Sequence, residues 1–340
     1  MKRANKLLPL IADIDNLRYA FWKASKGKRH SEEVLRYQTN IDQYLLCLQQ
    51  QILTGKVQVG NYRYFKIYEP KERQICASAF SEQVLHHSLM NICHKHFEKI
   101  QIFDSYASRK GKGIHRAVAR VQHFARHNGY FLKLDVRKFF DSIHHSVLKT
   151  QLARVFKEET LLSIFFQIID SYQTSENKGV PIGNLTSQYF ANHYLAGLDH
   201  FIKEELRCRA YVRYMDDMLF LAPDKPSLKM IFARVEQFVE ENLQCTLKPE
   251  TLRGVHLGIP FLGYLSFPTH IRLLQPSKKR FFRKFSKIQN EYDTLQKSEQ
   301  YCQRKVLPLL AFVRKARTNS MRNKLRTGSQ GRGRSKRPRP

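Results

Sequence analysis

The chain has 340 residues, 42% of them hydrophobic, with 59 Lys and Arg against 29 Asp and Glu. This length leaves room for two or three packed subdomains around a sizeable core, and a net charge of +30 points to a polyanionic partner, nucleic acid ahead of an anionic membrane surface. No apolar run approaches the roughly 20 residues that span a bilayer, and Asp13 and Asp15 interrupt the N-terminal apolar patch, which argues against a membrane segment and a signal peptide.

In chain order, Ser31 followed by Glu32 and Glu33 predicts a helix start. Val34, Tyr37, Ile41, Tyr44, Leu45, Leu48 and Ile52 then keep helical spacing over residues 31–53, with Gly55 placed to end the helix. Residues 62–68, YRYFKIY, alternate like a strand and run into the basic turn EPKER. Helix returns over 80–100, with Phe80, Val84, Leu85, Leu89, Ile92 and Phe97 on one side. The loop SYASRKGKGIH, 105–115, has glycines and bases suited to a phosphate backbone but lacks the ending of a Walker A loop.

YFLKLDV, 130–136, reads as a short strand ending near Asp135, and RKFFDSIHHSVLKTQL after it as helix. A second helix is expected over 161–171, and VPIGNLTSQ, 180–188, as a loop opening a helix at about 187–206. Residues 211–221 form a strand–turn–strand, and 227–243 a helix. FLGYLSF, 261–267, is a short hairpin segment in which Gly263 lets another element approach the backbone closely. From residue 276 on, 20 Lys and Arg face 3 Asp and Glu, which places +17 of the net charge in the last fifth of the chain. Apolar spacing there is still helical over 278–326, whereas TGSQGRGRSKRPRP at the end is too polar to fold and is expected to be disordered.

The six cysteines (Cys47, Cys76, Cys93, Cys208, Cys245, Cys302) are scattered without a C-x-x-C pair. They read as reduced thiols, so a cytoplasmic setting is expected. His86–His87, His94 with His96, and His144–His145 lack zinc spacing and are expected on helix surfaces or facing RNA.

The sharpest feature is RYMDDMLF, 213–220, where Asp216 and Asp217 interrupt an apolar run. Adjacent aspartates are ordinarily solvated turn formers, but these sit between two apolar strands. Carboxylates so close repel one another unless positive charge lies between or beside them. A divalent cation supplies it, and Mg2+ binds through one or two carboxylates together with substrate phosphates. Asp135, at the end of its own strand, is the third acid for a two-metal site that stabilises the attacking and leaving oxygens of a phosphoryl displacement.

Tyr214-Met215-Asp216-Asp217 resembles the YxDD signature of reverse transcriptases. The resemblance continues in the family's order: FLKLDVRKFFDSI (131–143) resembles the motif with the first catalytic aspartate, and KPETLRGVHLGIPFLG (248–263) the later motifs. The ordered set covers roughly 60–265. IGNLTSQ (182–188) departs from the commoner Q-G-x-x-x-S-P pattern, with Ile182 for Gln and Gln188 for Pro. In this it is similar to reverse transcriptases of diversity-generating retroelements, as are KASKGKR (23–29), EPKERQI (69–75) and the 105–115 loop.

The resemblance implies an α+β, right-hand polymerase fold. Fingers would occupy 1–130 with part of 150–180, a palm with an antiparallel sheet 130–265, and a basic helical thumb 266–326, before a tail at 327–340. It implies an RNA-directed DNA polymerase that copies a template-repeat RNA into error-prone cDNA for mutagenic retrohoming. Its implied partners are template RNA, cDNA or primer, deoxynucleoside triphosphates and a small basic multimeric accessory protein.

Asp135, Asp216 and Asp217 would be catalytic and would hold two Mg2+ ions, with Mn2+ as substitute. Lys66, Lys71 and Arg73 are candidates for the triphosphate. Phe140, or its neighbour Phe139, would exclude a 2′-OH. Ile182 and Gln188 would shape the nucleotide pocket, and the loss of a directional contact at 182 predicts low fidelity opposite template adenine. Phe261, Leu262, Gly263 and Tyr264 occupy the primer-grip position. Lys278, Lys279, Arg280, Arg283 and Lys284 are expected on the nucleic-acid backbone. The C-terminal LLAFVRKARTNSMRNKL matches the family thumb only loosely, and the polybasic tail is additional. A group II intron-like or retron-like reverse transcriptase, and a non-catalytic RNA-binding scaffold, stay open as alternatives.

Overall fold

The computed structural model describes residues 2–68 and 72–319. The N-terminal third is helical. Helix α1 (Leu8–Ile11) is short, and its N-terminal amides at Leu7 and Leu8 donate to the Glu158 carboxylate from far along the chain. Helix α2 (Ile14–Ser25) is capped by Asp13, which accepts from the amides of Asp15 and Asn16. The single helix expected over 31–53 is two, α3 (Glu32–Thr39) and α4 (Ile41–Thr54). Asn40 leaves helical geometry (φ −123°, ψ 40°) and serves as C-cap of one and N-cap of the other. Thr and Asn at 39–40 are weak helix formers, and the break stacks Tyr37 on Tyr44 at 4.6 Å. Gly55 ends α4 in the left-handed region (φ 70°), where a Cβ would also meet the Thr160 methyl at 2.8 Å.

Strands β1 (Tyr62–Ile67) and β2 (Arg73–Ser78) form an antiparallel hairpin in register from Tyr62↔Ser78 to Ile67↔Arg73. It leads into α5 (Phe80–Ile100), whose Phe80, Val84, Leu85, Leu89, Cys93 and Phe97 line the main core. His86 on this helix is a correction to the surface expectation. It is buried beside buried Glu82, 3.4 Å away, and desolvation pushes its imidazole down to about 3. Helix α6 (Ile114–Ala125) follows the 105–113 loop, and its Ala117, Val118 and Val121 are buried. All six thiols are free, five of them buried and Cys47 exposed.

The central sheet begins with β3 (Tyr130–Asp135), followed by α7 (Phe139–Ser142), α8 (His145–Ala153) and α9 (Glu159–Asp170). Helix α10 (Leu185–Tyr194) runs through a break at Leu195 into α11 (Ala196–His200) and a π-helical turn, Phe201–Glu205, where one long helix was expected. Strands β4 (Tyr211–Tyr214) and β5 (Asp217–Ala222), then α12 (Lys225–Leu243) and β6 (Thr251–Gly254), complete the layer. The strand order is β4-β5-β3-β6, with every pairing antiparallel.

Period-2 alternation delivers the two faces of this sheet to two cores. Leu132, Leu134, Tyr211, Met218 and Phe220 join the larger helical core, while Phe131, Val212, Leu219 and Leu221 join a second one with α6. Lys133, Asp135 and Asp217 stand on the second face by the same alternation. A small sheet of β7 (Ile259–Phe261), β8 (Tyr264–Ser266) and β9 (Ile271–Leu273) closes over that core. Two basic helices follow, α13 (Gln275–Asp293) and α14 (Glu299–Arg314). Among the described residues no helix is long and apolar enough to cross a membrane.

Candidate active site

Strand register brings the acids together. Asp135, the last residue of β3, pairs with Asp217, the first of β5. Tyr214 pairs with the same Asp217 across the hairpin, so Met215 and Asp216 are the two turn residues. Met215 has φ 56°, a left-handed conformation that costs a non-glycine residue about 1–3 kcal/mol and occurs where surrounding structure enforces it.

The charges are coupled. Asp217 is pushed up to about 6 by burial, with Lys133 pulling the other way and Asp135 and Asp216 adding to the rise. Asp216 is raised as well, by burial and then by Asp135, while Lys248 and Arg73 oppose. Lys133 Nζ lies 3.2 Å from Asp217 Oδ1, and Lys248 pairs with the Asp135 carboxylate while its amide donates to the Asp135 carbonyl at 2.8 Å. Asp217 Oδ1 is buried and accepts no aligned hydrogen bond.

Among the described residues no group of three His, Cys, Asp or Glu side chains is drawn tightly enough to cage an ion as it stands. Two of the acids lean instead on lysines. The donor set nevertheless suits a hard divalent cation, with three carboxylates at one sheet end and a buried oxygen that accepts no aligned hydrogen bond.

The other expected site residues fall into three groups. Arg73 opens β2, is exposed, and acts electrostatically on Asp216. Lys66 on the facing strand is committed to Glu72 at 2.7 Å, and Lys71 lies outside the described residues. Phe139 is buried in the main core, and Phe140 is half-buried against it, its carbonyl accepting from Val180. Ile182 is half-buried, and its carbonyl accepts from the Cys76 amide at 2.8 Å, which docks β2 on the 182–183 loop. Gly183 beside it has φ 126°, and a Cβ there would meet Ile75 at 2.9 Å and the Cys76 carbonyl at 3.0 Å. Gln188, in the first turn of α10, accepts from the Ser108 hydroxyl at 2.9 Å.

Phe261, Leu262, Gly263 and Tyr264 form the β7–β8 turn, with Phe261↔Tyr264 as closing pair and positive φ at Leu262 (50°) and Gly263 (87°). Gly263 fulfils the close-approach expectation, since a Cβ would meet Ser277 Oγ at 2.9 Å and Phe312 at 3.0 Å. Tyr264 donates its hydroxyl to the Phe312 carbonyl at 2.7 Å, so the turn braces α13 and α14 against the sheet. Lys278, Lys279, Arg283 and Lys284 are exposed on the first half of α13, and Arg280 is half-buried. Lys278 and Lys279 lie at the helix end where the macrodipole disfavours cations, a placement that an external polyanion offsets.

The 105–115 loop is only partly free for phosphate. Arg109 forms a bidentate pair with Glu98 and donates to the carbonyls of Ile102 and Ser105. Lys112 donates to the Phe103 carbonyl at 2.6 Å. Glu98 lies one helix away in sequence, and nothing local in the loop announces it. Sequence reasoning also passed over Lys133, Lys248 and Arg213, although all three stand inside the quoted motifs, the two lysines on the acids' side of the site. Their signal was a cation alternating onto the acids' face in FLKLD and a lysine opening KPET.

Residues 70–265 match the family model described as reverse transcriptase (RNA-dependent DNA polymerase). In Saccharomyces cerevisiae the putative COX1/OXI3 intron 1 protein is 21% identical over 212 residues, 59% of this chain and 25% of that protein. The putative COX1/OXI3 intron 2 protein of the same yeast is 22% identical over 331 residues, 76% of this chain and 38% of its own length. The chain therefore spans about a quarter to two-fifths of these curated relatives. A solved telomerase from Candida albicans, in complex with a fragment of telomeric RNA, superposes with a TM-score of 0.51 at 12% identity, over 70% of this chain and 52% of that one. The fold is thus the mixed α+β polymerase fold of such structures. With more than half of its length matched, and Asp135, Asp216 and Asp217 inside the match, the chain belongs to the reverse transcriptase family.

Proposed function

We propose that this chain is an RNA-directed DNA polymerase, with Asp135, Asp216 and Asp217 as its catalytic acids. The observation that carries the reading is the register that sets Asp135 against Asp217, one residue from Asp216, on a sheet whose acids are coupled and partly neutralised by lysines. Family membership implies a divalent metal, and two Mg2+ ions on these carboxylates, or Mn2+ in their place, would stabilise the attacking and leaving oxygens. Lys133 and Lys248 partly neutralise the acids, and with cations in their place they would be free to pair with substrate phosphate. Arg73, with Lys66 and Lys71, gathers the triphosphate. Phe140 walls off the 2′ position, and the 261–264 turn bears on the primer strand. The α13 cations track the duplex backbone, a contact that gives affinity without sequence choice. In this reading the hairpin and N-terminal helices are fingers, the central sheet is palm, and α13–α14 are thumb.

Primer extension on an RNA template with Mg2+ tests this reading. Extension that disappears in Asp216→Ala supports it. Wild-type protein that binds RNA but never extends a primer would leave a scaffold.

The intron-encoded relatives favour an intron-type enzyme. A second reading, mutagenic copying in a diversity-generating retroelement with a basic accessory protein, rests on Ile182 and Gln188 in IGNLTSQ. Sequencing the cDNA separates the two. Errors gathered opposite template adenine belong to the retroelement reading, and accurate copying to the intron-type one.

A further inference from the structure

Arg213, three residues before Asp216, is fully buried in the sheet. Its guanidinium is paired with fully buried Asp199 of α11, Nε to Oδ1 at 2.8 Å and Nη2 to Oδ2 at 2.5 Å. The Tyr211 hydroxyl donates to the same Asp199 Oδ1 at 2.8 Å. The remaining donors face the other way. Nη1 reaches Asn192 Oδ1 and the Met215 carbonyl, both at 3.1 Å, and Nη2 reaches Gln101 Oε1 at 3.3 Å. The backbone of residue 213 is held too, its amide on the Asp104 carbonyl at 3.0 Å and its carbonyl on the Tyr106 amide at 2.9 Å.

A buried ion pair is a poor source of stability, because apolar residues of similar volume serve as well or better. This pair has a specific recipient. Met215 is the strained turn residue, and Arg213 binds the carbonyl that precedes the Asp216 amide. Asn192 and Asp199 fix the guanidinium from α10 and α11, so helix positions are transmitted to the turn through one planar group. Asp216 itself lies within electrostatic reach of that charge.

We propose that the Arg213–Asp199 pair is a positioning device for the site: by pinning the Met215 carbonyl it fixes the direction in which Asp216 presents its carboxylate to a divalent cation. The inference rests on the metal-dependent polymerase reading above. Arg213 touches no reacting atom. Lysine at 213 keeps the charge but has no fork with which to bridge Asp199, Asn192 and Met215 together.

The test uses the full chain, with Mn2+ as probe. In Arg213→Met with Asp199→Leu, no buried charge is left alone, so the fold is expected to survive. Mn2+ binding is followed by the electron paramagnetic resonance of the free ion. Steady-state kinetics are measured with dTTP on a poly(rA)–oligo(dT) template-primer. A positioning role predicts about 10- to 100-fold weaker Mn2+ binding and a similar loss in kcat, with KM for dTTP nearly unchanged. Arg213→Lys should show the same pattern in milder form, and it decides the matter by the same readouts if the double variant does not fold. Folded variants with wild-type Mn2+ affinity and kcat overturn the proposal. Asp216→Asn separates the two readings. If it binds Mn2+ as well as wild type does, the metal site itself is misassigned and both readings fall; if it loses the ion while the Arg213 variants keep it, only the positioning role falls.

Discussion

Removing the charge of Asp217 should stabilise the metal-free protein above neutrality. Burial is the largest cause of its rise from 3.8 to about 6, with Asp135 and Asp216 adding to it against the pull of Lys133. The folded state therefore holds this proton more tightly than the unfolded chain does, so stability falls as pH climbs from about 4 to about 6 and stays reduced above that. At about 1.36 kcal/mol per unit, two units amount to roughly 3 kcal/mol near pH 7. Asparagine is neutral throughout and escapes this cost, and the opposing pull of Lys133 is already contained in the net rise. The expectation for Asp217→Asn is therefore a gain of roughly 3 kcal/mol at pH 7–8, vanishing toward pH 4. Urea unfolding in EDTA across this range, followed by circular dichroism, measures it. Millimolar Mg2+ should then narrow the gap, because an ion bound by the folded wild type stabilises it by mass action. A difference that does not change with pH, or a variant less stable than wild type at pH 8, would refute the assignment of a strained, ionised Asp217.

Three further outcomes are expected. Gly263→Ala forces a side chain into φ 87° and onto Ser277 and Phe312, which should cost about 2–4 kcal/mol of stability in a thermal or urea melt. A variant as stable as wild type would mean that the β7–β8 turn does not brace the C-terminal helices. Ile182→Gln, which restores a hydrogen-bonding side chain beside β2, should reduce misincorporation opposite template adenine in sequenced cDNA; an unchanged error spectrum argues that Ile182 only packs. Replacing Lys278, Lys279, Arg280, Arg283 and Lys284 with Gln should weaken duplex binding alike for all sequences and flatten its salt dependence by roughly one log-log unit per lost phosphate contact. An unchanged slope would place the duplex elsewhere.

Much of the fold was legible because its signals are local. The alternation in YFLKLD and the apolar flanks of the paired aspartates identified β3, β4 and β5, and Gly55 and Gly263 marked turns that only positive φ satisfies. What sequence reasoning missed depends on distant partners. The break at Asn40 accompanies the stacking of Tyr37 on Tyr44, and past Leu195 the short α11 brings Asp199 to Tyr211 and Arg213 of the sheet. Helix α6 went unread because its glycine-rich entry looked like a loop. The buried state of His86 depends on Glu82 and on the core that closes over both. The bases of the 105–115 loop drew attention together, yet the charge of Arg109 is spent on Glu98. Arg213 stood inside the quoted motif and was not singled out, since a charged residue in a strand reads as solvent-facing until Asp199, Asn192 and Gln101 arrive from other elements.

Those misses share a physical cause that bears on the site. Around residues 213–217 the chain breaks several local rules at once: a guanidinium buried in a sheet, a methionine in the left-handed region, and two acids raised above their ordinary range at the end of apolar strands. Each departure is unfavourable alone, and local consistency is what a foldable sequence ordinarily keeps. They persist together because each offsets another. Arg213 holds the strained Met215 carbonyl, Asp199 neutralises Arg213, and Lys133 and Lys248 hold the acids that register forces together. The two lysines differ from Arg213 in one respect that fits a working site. Their side chains are partly exposed, 27% and 42%, where the Arg213–Asp199 pair is wholly enclosed. In the proposed polymerase the enclosed pair would keep its geometry through a catalytic cycle, whereas the exposed lysines would be free to exchange carboxylate for phosphate as substrate enters. On that reading, fixed charge shapes the turn and exchangeable charge is what a nucleotide would meet.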